Sequence, residues 1–524
     1  MGTRNVPATR GSHTDLNAIR QTGYPSAAPE TAPSPQAEAA NLLRVLGTGT
    51  MSAVAYDTAF LARLRKPGAP DALAYPATLR WLLRAQNADG SFGTTLPIPK
   101  ERVLSTVSAV LALAALPPGE HEEIAHRARL AALTYLWEKT ADWQTGLTPV
   151  GFEQILPTLM DDGRVRQLPL PFDRFAGVTA QREAKLGHIP PTLIYKMPTL
   201  LLHSLEYLGS RLDVGAAAAQ LSENGSFGNS PSATAYFLER GGAAPAAWAY
   251  LDSVVDAEGG VPDVAPFEVF ERAWVLYNLA RAGIVVPDAD RHIRYLASTL
   301  TDDGVGCSRT GLRPDADDTA MTLTVLQRYG QSPVAGPLRS FEGIEYFHTF
   351  PLEREPSPTV NAHVLEALAA CQPFPTRASM EQKVVRFLRD QRVDGAHWVD
   401  KWHSSPFYAT ARVVFALTAS APDLCLPALK WLAETQRSDG SWGWFEQGTA
   451  EETAYAVQGW LAVPPAQRQG LRVNLGAAET FLAEAAGEPR IPLWVGKGLY
   501  TPVHIVESAI LSARTLLKGA NPHV

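Results

Sequence analysis

The sequence is poor in cysteine: Cys307, Cys371 and Cys425 are an odd number and lie far apart. That excludes a disulfide framework and a cysteine-built metal cluster, and it points to a reduced, cytoplasmic setting. Long apolar runs are missing too. No stretch approaches the roughly 18 apolar residues of a spanning helix, and the N-terminus has no apolar signal core, which excludes an integral membrane protein. Positive charge is not in excess: 46 Lys and Arg against 53 Asp and Glu give −7, leaving no footprint for nucleic acid. What remains is a 524-residue chain, 46% hydrophobic, long enough for two or three domains with large cores. Residues 1–35, rich in Ala, Pro, Thr and Ser, read as a disordered lead.

Alternating strand patterns are nearly absent, whereas helical periodicity recurs, for example over Leu42 to Leu46, Val103 to Leu116, Leu200 to Leu208, Phe270 to Ala282, Asn361 to Ala370 and Thr453 to Leu461. The fold class is therefore all-α. Between these helices a turn returns: Asn87-Ala-Asp-Gly-Ser-Phe92, Asn224-Gly-Ser-Phe227, Asp302-Asp-Gly304, Val393-Asp-Gly-Ala-His-Trp398 and Ser438-Asp-Gly-Ser-Trp442. Its glycine tolerates positive φ, and the aromatic that follows packs back on the preceding helix end. Helical repeats of this kind build solenoids or closed α/α toroids, and Phe92, Phe227, Trp442 and Trp444 are expected to be structural.

One stretch stands apart. Asp315, Asp317 and Asp318 crowd three carboxyl groups into four positions, and Thr319, Leu323 and Leu326 then recur at i, i+4 and i+7. The cluster opens an amphipathic helix that stops near Gly330. A single Asp there is a helix cap. Three carboxyls a few ångströms apart in a dry pocket cannot all ionise, so one keeps a proton at neutral pH and can serve as a general acid. Surface cluster, metal site and proton donor all remain open on these residues alone.

Together the Gln-x-x-Asp-Gly-Ser-Trp-Gly turns and the Asp-x-Asp-Asp stretch resemble the class II terpene cyclases. Further stretches resemble the diterpene (copalyl diphosphate synthase-like) branch in its bacterial βγ form: Ala55-Tyr-Asp-Thr-Ala-Phe60, Val150-Gly-Phe-Glu153, Met197-Pro-Thr-Leu-Leu-Leu-His-Ser-Leu-Glu206, Ser230-Pro-Ser-Ala-Thr-Ala235, Asp400-Lys-Trp-His-Ser-Ser-Pro-Phe-Tyr408 and Trp494-Val-Gly-Lys-Gly-Leu-Tyr-Thr-Pro502. The likeness covers residues 40 to 515, roughly the whole chain beyond its lead. It implies two α/α-barrel domains: a β domain from residues 36–50 plus 251–524, and an inserted γ domain over 51–250, with the cavity between them. No class I α domain is expected.

By this resemblance Asp317 is the proton donor, with Asp315 and Asp318 polarising it. Trp274 matches a cavity tryptophan of the plant enzymes, while Cys307 stands where those enzymes carry another, implying a roomier cavity. His203 matches a terminating base, and its partner asparagine maps to Asp263, whose charge would raise the imidazole's basicity and hold it protonated. Lys185 matches a lysine beside the diphosphate, Lys497 is a further substrate-binding candidate, and Glu153 lies in the region linked to Mg²⁺.

The reading that follows is a class II diterpene cyclase, an isomerase that protonates geranylgeranyl diphosphate and closes it to a bicyclic copalyl-type diphosphate. The rival of the same chemistry takes farnesyl diphosphate to drimenyl diphosphate, and a rival of another class is a non-catalytic toroid binding a prenyl or peptide ligand. Asp161-Asp162-Gly-Arg-Val165 lacks the last acid of a class I Asp-Asp-x-x-Asp motif, so the product is expected to keep its diphosphate and pass to a downstream class I terpene synthase.

Overall fold

The computed structural model describes residues 33–116, 122–187, 190, 192–197, 199–351, 353 and 355–520. Residues 1–32 of the expected lead, and 188, 189 and 191 after Lys185, lie outside them. The chain is helical almost throughout. The exceptions among the described residues are two short ribbons, Arg65–Lys66 with Ala69–Leu73 and Trp494–Val495 with Leu499–Tyr500.

Among the described residues, five helical segments close into one ring: Ala55–Ala62, Pro99–Ala114, Phe152–Val165, Leu200–Arg211 and Pro231–Glu239 each pack on the next, and the last on the first. Six more form a second ring in the same manner: Glu268–Arg281, Ala316–Arg328, Pro358–Ala370, Pro406–Ser420, Ala450–Ala462 and Val503–Ala520. Outer helices flank both rings. Inner helices are buried on nearly every side, which is why residues such as Val103 to Leu113 and Pro406 to Leu417 are apolar or small almost without interruption. The first helix, Pro35–Val45, packs on Val503–Ala520 and so joins the outer layer of the second ring. The expected junction at 250/251 falls within the helix Pro245–Val254, which packs on Pro231–Glu239; Leu251 and Val261 sit in the core of the first ring.

The repeated turn has one construction. Gly90 (φ 89°) and Gly440 (φ 88°) take the left-handed conformation with no room for a side chain, since a Cβ would fall 2.5 Å from Ala131 O and 2.4 Å from Ala477 C. Gln86 and Gln436 brace these turns through Nε2, each donating to the turn glycine's carbonyl at 2.9 Å. The aromatic then plugs the ring: Trp442 donates from N to Thr453 Oγ1 and from Nε1 to Leu432 O, tying an outer helix to the next inner one. Phe92, Phe227 and Trp442 are fully buried as expected, each contributing about 1.5–3 kcal/mol by the area it removes from water. Trp444 is not; it is half-exposed beside His397.

One expected helix departs from its pattern. Leu200–Arg211 runs in 3-10 turns broken at Ser204 (φ −121°, ψ 40°) and Gly209 (φ 58°). The break turns His203 inward and seats its Nδ1 2.9 Å from Gly228 O.

Candidate active site

The helix Ala316–Arg328 begins at the aspartate cluster. Asp315 is its cap: the backbone is extended, and Oδ1 accepts from the Asp318 N–H at 2.7 Å. Asp315 and Asp318 are buried, and Asp318 Oδ1 finds no hydrogen-bond partner. Burial, joined by the charge of Asp317, pushes Asp315 up to about 7 against the pull of its hydrogen bonds from Asp318. Asp318 is driven well above the usual carboxylate range by burial and then by Asp315. The cluster therefore retains protons near neutral pH.

Asp317 is the member that faces open space, its side chain 17% exposed. Its Oδ1 lies 2.5 Å from Nδ1 of His363, a residue on the neighbouring helix Pro358–Ala370. The direction of that bond follows from the other side of the ring. Arg412 Nε–H, on Pro406–Ser420, donates to His363 Nε2 at 2.7 Å, so Nε2 holds the lone pair and Nδ1 carries the hydrogen that Asp317 accepts. Arg412 is itself fully buried, its guanidinium 4.2 Å from the centre of the Tyr277 ring. A carboxyl whose Oδ1 is held this way presents Oδ2 to the cavity, and the bond strengthens as negative charge develops on proton loss.

The cavity and its mouth together span about 770 Å³ of empty space, part of it open solvent. Asp315, Asp317 and Asp318 form one end of its lining, and Phe267, Phe270, Phe350, Trp402, Tyr408, Trp494 and Tyr500 supply aromatic walls. Met51 and Val264, from the connections between the rings, line it as well. Cys307 belongs to the wall, and burial with the nearby Asp318 and Asp315 charges pushes its thiol far up, leaving it neutral. Trp274 stands one layer back: it is buried, its ring contacts Phe270 at 4.2 Å between centroids, and its Nε1–H holds the Tyr408 hydroxyl at 2.9 Å.

His203, Asp263 and Lys497 come together beyond Val264. His203 Nε2 is 3.9 Å from Asp263 Oδ2, too far for a hydrogen bond. The charge expected on this imidazole is absent, because burial and the Lys497 charge lower it to about 3. It is a neutral ring with a free Nε2 lone pair, its Nδ1–H donated to Gly228 O. Lys497 does not reach the cavity. It is fully buried, and Nζ is shared among His203 O (2.9 Å), Glu206 Oε1 (3.1 Å), Ser230 Oγ (2.6 Å) and Ser232 Oγ (2.5 Å). Burial works against the ammonium, but Glu206, Asp57 and Asp263 more than offset it. Asp57 and Asp263 are both raised by burial, against the pull of the Lys497 charge.

Lys185 and Glu153 also meet, as a pair 3.3 Å apart, and the structure adds Glu355, whose Oε1 is 2.9 Å from Lys185 Nζ. Among the described residues no three His, Cys, Asp or Glu side chains converge on a metal position. A hard cation drawing oxygens from a diphosphate and water needs only one or two carboxylates, and Glu153 with Glu355 fits that requirement. Asp161 and Asp162 are engaged in ion pairs with Arg164 and Arg240. No described helix is long and apolar enough to cross a membrane.

Residues 346–482 match the squalene-hopene cyclase C-terminal domain family. The chain is 34% identical over 503 residues to a type B diterpene cyclase of Mycobacterium tuberculosis, covering 91% of this chain and 97% of that one. It is 33% identical to a copalyl diphosphate synthase of Streptomyces anulatus, covering 90% and 89%. The solved ent-copalyl diphosphate synthase from Streptomyces platensis superposes with a TM-score of 0.74 at 30% identity, over 92% of this chain and 99% of that one. With an aspartate cluster at a helix mouth, aromatic walls and relatives of this extent, the chain belongs to the class II diterpene cyclases and is an enzyme.

Proposed function

We propose that the enzyme converts geranylgeranyl diphosphate to a bicyclic copalyl-type diphosphate. Asp317 Oδ2–H protonates the terminal alkene, giving a tertiary cation; two successive alkene attacks close the decalin; a base takes the final proton, and the diphosphate stays attached. The observation that carries this reading is the hydrogen-bonded line from Arg412 through His363 to Asp317, the least buried of the three aspartates that line an aromatic-walled cavity. Such a line favours the carboxylate over the carboxylic acid and so lowers the barrier to proton donation. The aromatic faces stabilise the cation without offering a nucleophile.

For termination we assign His203 as the base, with Asp263 its neighbour. Its neutral state and free Nε2 support this role, as does the cavity-lining Val264 directly after Asp263. Lys185 is assigned to the diphosphate, and Glu153 with Glu355 to a Mg²⁺ that would neutralise phosphate charge there. A diphosphate product calls for a class I synthase to ionise it. The test is incubation of wild type and Asp317→Asn with Mg²⁺ and either geranylgeranyl or farnesyl diphosphate, followed by phosphatase and mass spectrometry. A bicyclic C20 alcohol from wild type alone is expected. A C15 bicycle in its place would move the assignment to farnesyl diphosphate, and equal product from Asp317→Asn would refute the acid.

A further inference from the structure

Behind the cavity wall lies a buried carboxylate that this scheme leaves unused. Glu451 stands in the first turn of Ala450–Ala462 and is 2% exposed. Its Oε1 accepts from Trp494 Nε1–H at 2.7 Å and lies 3.2 Å from His403 Nε2. The indole is a donor only, so Oε1 acts as an acceptor. His403 Nδ1 sits 3.1 Å from both the N–H and the carbonyl of Ser405. A proton on Nε2, with Ser405 N–H donating to Nδ1, pairs both ring nitrogens and Glu451 Oε1, whereas a neutral ring protonated on Nδ1 would oppose two lone pairs at Glu451. Two donors converge on one oxygen, the arrangement of an ionised carboxylate beside a neutral imidazole.

Between this charge and the cavity stand only packed rings. His403 stacks on Tyr408 at 4.8 Å and meets Trp494 edge-on at 5.2 Å, while Tyr408 and Trp494 lie 4.8 Å apart. Tyr408 and Trp494 line the cavity. We infer that Glu451 is a positioning residue for cyclisation: its charge, held on the Trp494 indole, makes this aromatic wall a stronger host for a carbocation than the rings alone. A carboxylate on the N–H of an indole enriches the ring face, and in a dry site its own field reaches the cavity with little screening. The inference rests on the cation-forming chemistry proposed above.

Calorimetry with two unreactive prenyl diphosphates tests it: one carries an ammonium nitrogen at the position of the cationic carbon, and the other is its neutral, saturated carbon counterpart. Wild type binds the ammonium compound more tightly, as expected for a mimic of the cationic state. Glu451→Gln lowers that preference by about tenfold. The substitution suits the site, because Oε2, where the amide nitrogen goes, has no hydrogen-bond partner to lose. Trp494→Phe, which keeps a ring but not the N–H, lowers the preference likewise and decides the matter if Glu451→Gln does not fold. Glu452→Gln removes an adjacent buried carboxylate bonded to Trp444 N and Thr449, and retains the wild-type preference. An undiminished preference in Glu451→Gln, or in Trp494→Phe where Glu451→Gln does not fold, would overturn the inference alone. No preference in wild type would overturn it together with the cation chemistry on which it rests.

Discussion

Replacing His363 by Phe removes one hydrogen bond from the acid and little else from the cavity. His363 is fully buried and outside the cavity lining, and its ring meets Trp274 edge-on at 5.4 Å, a contact that a phenyl ring of similar size retains. What is lost is the Nδ1–H donated to Asp317 Oδ1 at 2.5 Å. A hydrogen bond to a charged group contributes about 1.5–3 kcal/mol. Nearly all of it is felt only as Asp317 becomes a carboxylate, so at about 1.4 kcal/mol per decade kcat should fall roughly 10- to 150-fold. KM should stay within about twofold, since the loss falls on the transition state and spares ground-state binding. Arg412 Nε–H also loses its acceptor, destabilising the fold by about 1–3 kcal/mol, so assays belong well below the variant's melting temperature. Single-turnover rates of C20 alcohol formation after phosphatase read the step. A kcat within twofold of wild type, or a loss confined to KM, would rule out this role for the His363–Asp317 hydrogen bond.

Four further outcomes follow from the same geometry. With Asp315 near 7 and Asp318 higher, the active form of the cluster is the protonated one, so kcat should hold at lower pH and fall as pH rises through about 7. Asp315 and Glu101, raised mainly by burial and both near 7, bind protons that the unfolded chain releases near pH 4; their contribution to stability is full below that and is lost as pH rises through 7, which melting temperatures at pH 5 and 8 will register. His203→Ala should leave substrate consumption within a few-fold but divert product to a hydroxylated bicycle, and in wild type the alkene-to-alcohol ratio should not change between pH 5 and 8, because His203 titrates near 3. Lys185→Gln should raise KM about tenfold with kcat little altered, and Glu153→Gln should raise the Mg²⁺ concentration needed for half-maximal rate.

Much of the architecture was legible locally. The all-α class followed from periodicity, and the recurrent Asp-Gly-x-aromatic turns gave the joints of the rings, because those features are fixed by residues a few positions apart. The mouth of Ala316–Arg328 was equally legible, with Asp315 acting as a cap and as a member of the acid cluster at once. His363 and Arg412 were not. His363 stands 46 positions from Asp317 and Arg412 a further 49 along the chain, and only closure of the ring aligns their helices. A local hint was a titratable residue among the buried positions of an inner helix, as His363 is between Ala362 and Val364. Lys497 misled for the opposite reason: a lysine in a loop reads as exposed, and nothing near it in sequence announces Glu206, Ser230 and Ser232, which arrive from the other ring. The charge assigned to His203 failed because its carboxylate neighbour was counted while burial and the Lys497 ammonium were not.

The first chemical event proposed for this enzyme is proton transfer to the terminal alkene with the diphosphate left in place. Running wild type in D₂O with geranylgeranyl diphosphate and weighing the intact bicyclic diphosphate tests it most directly. One added deuterium is expected, located by NMR on the ring methylene beside the geminal dimethyl carbon. A product carrying no deuterium, or one that has lost its diphosphate, would contradict it.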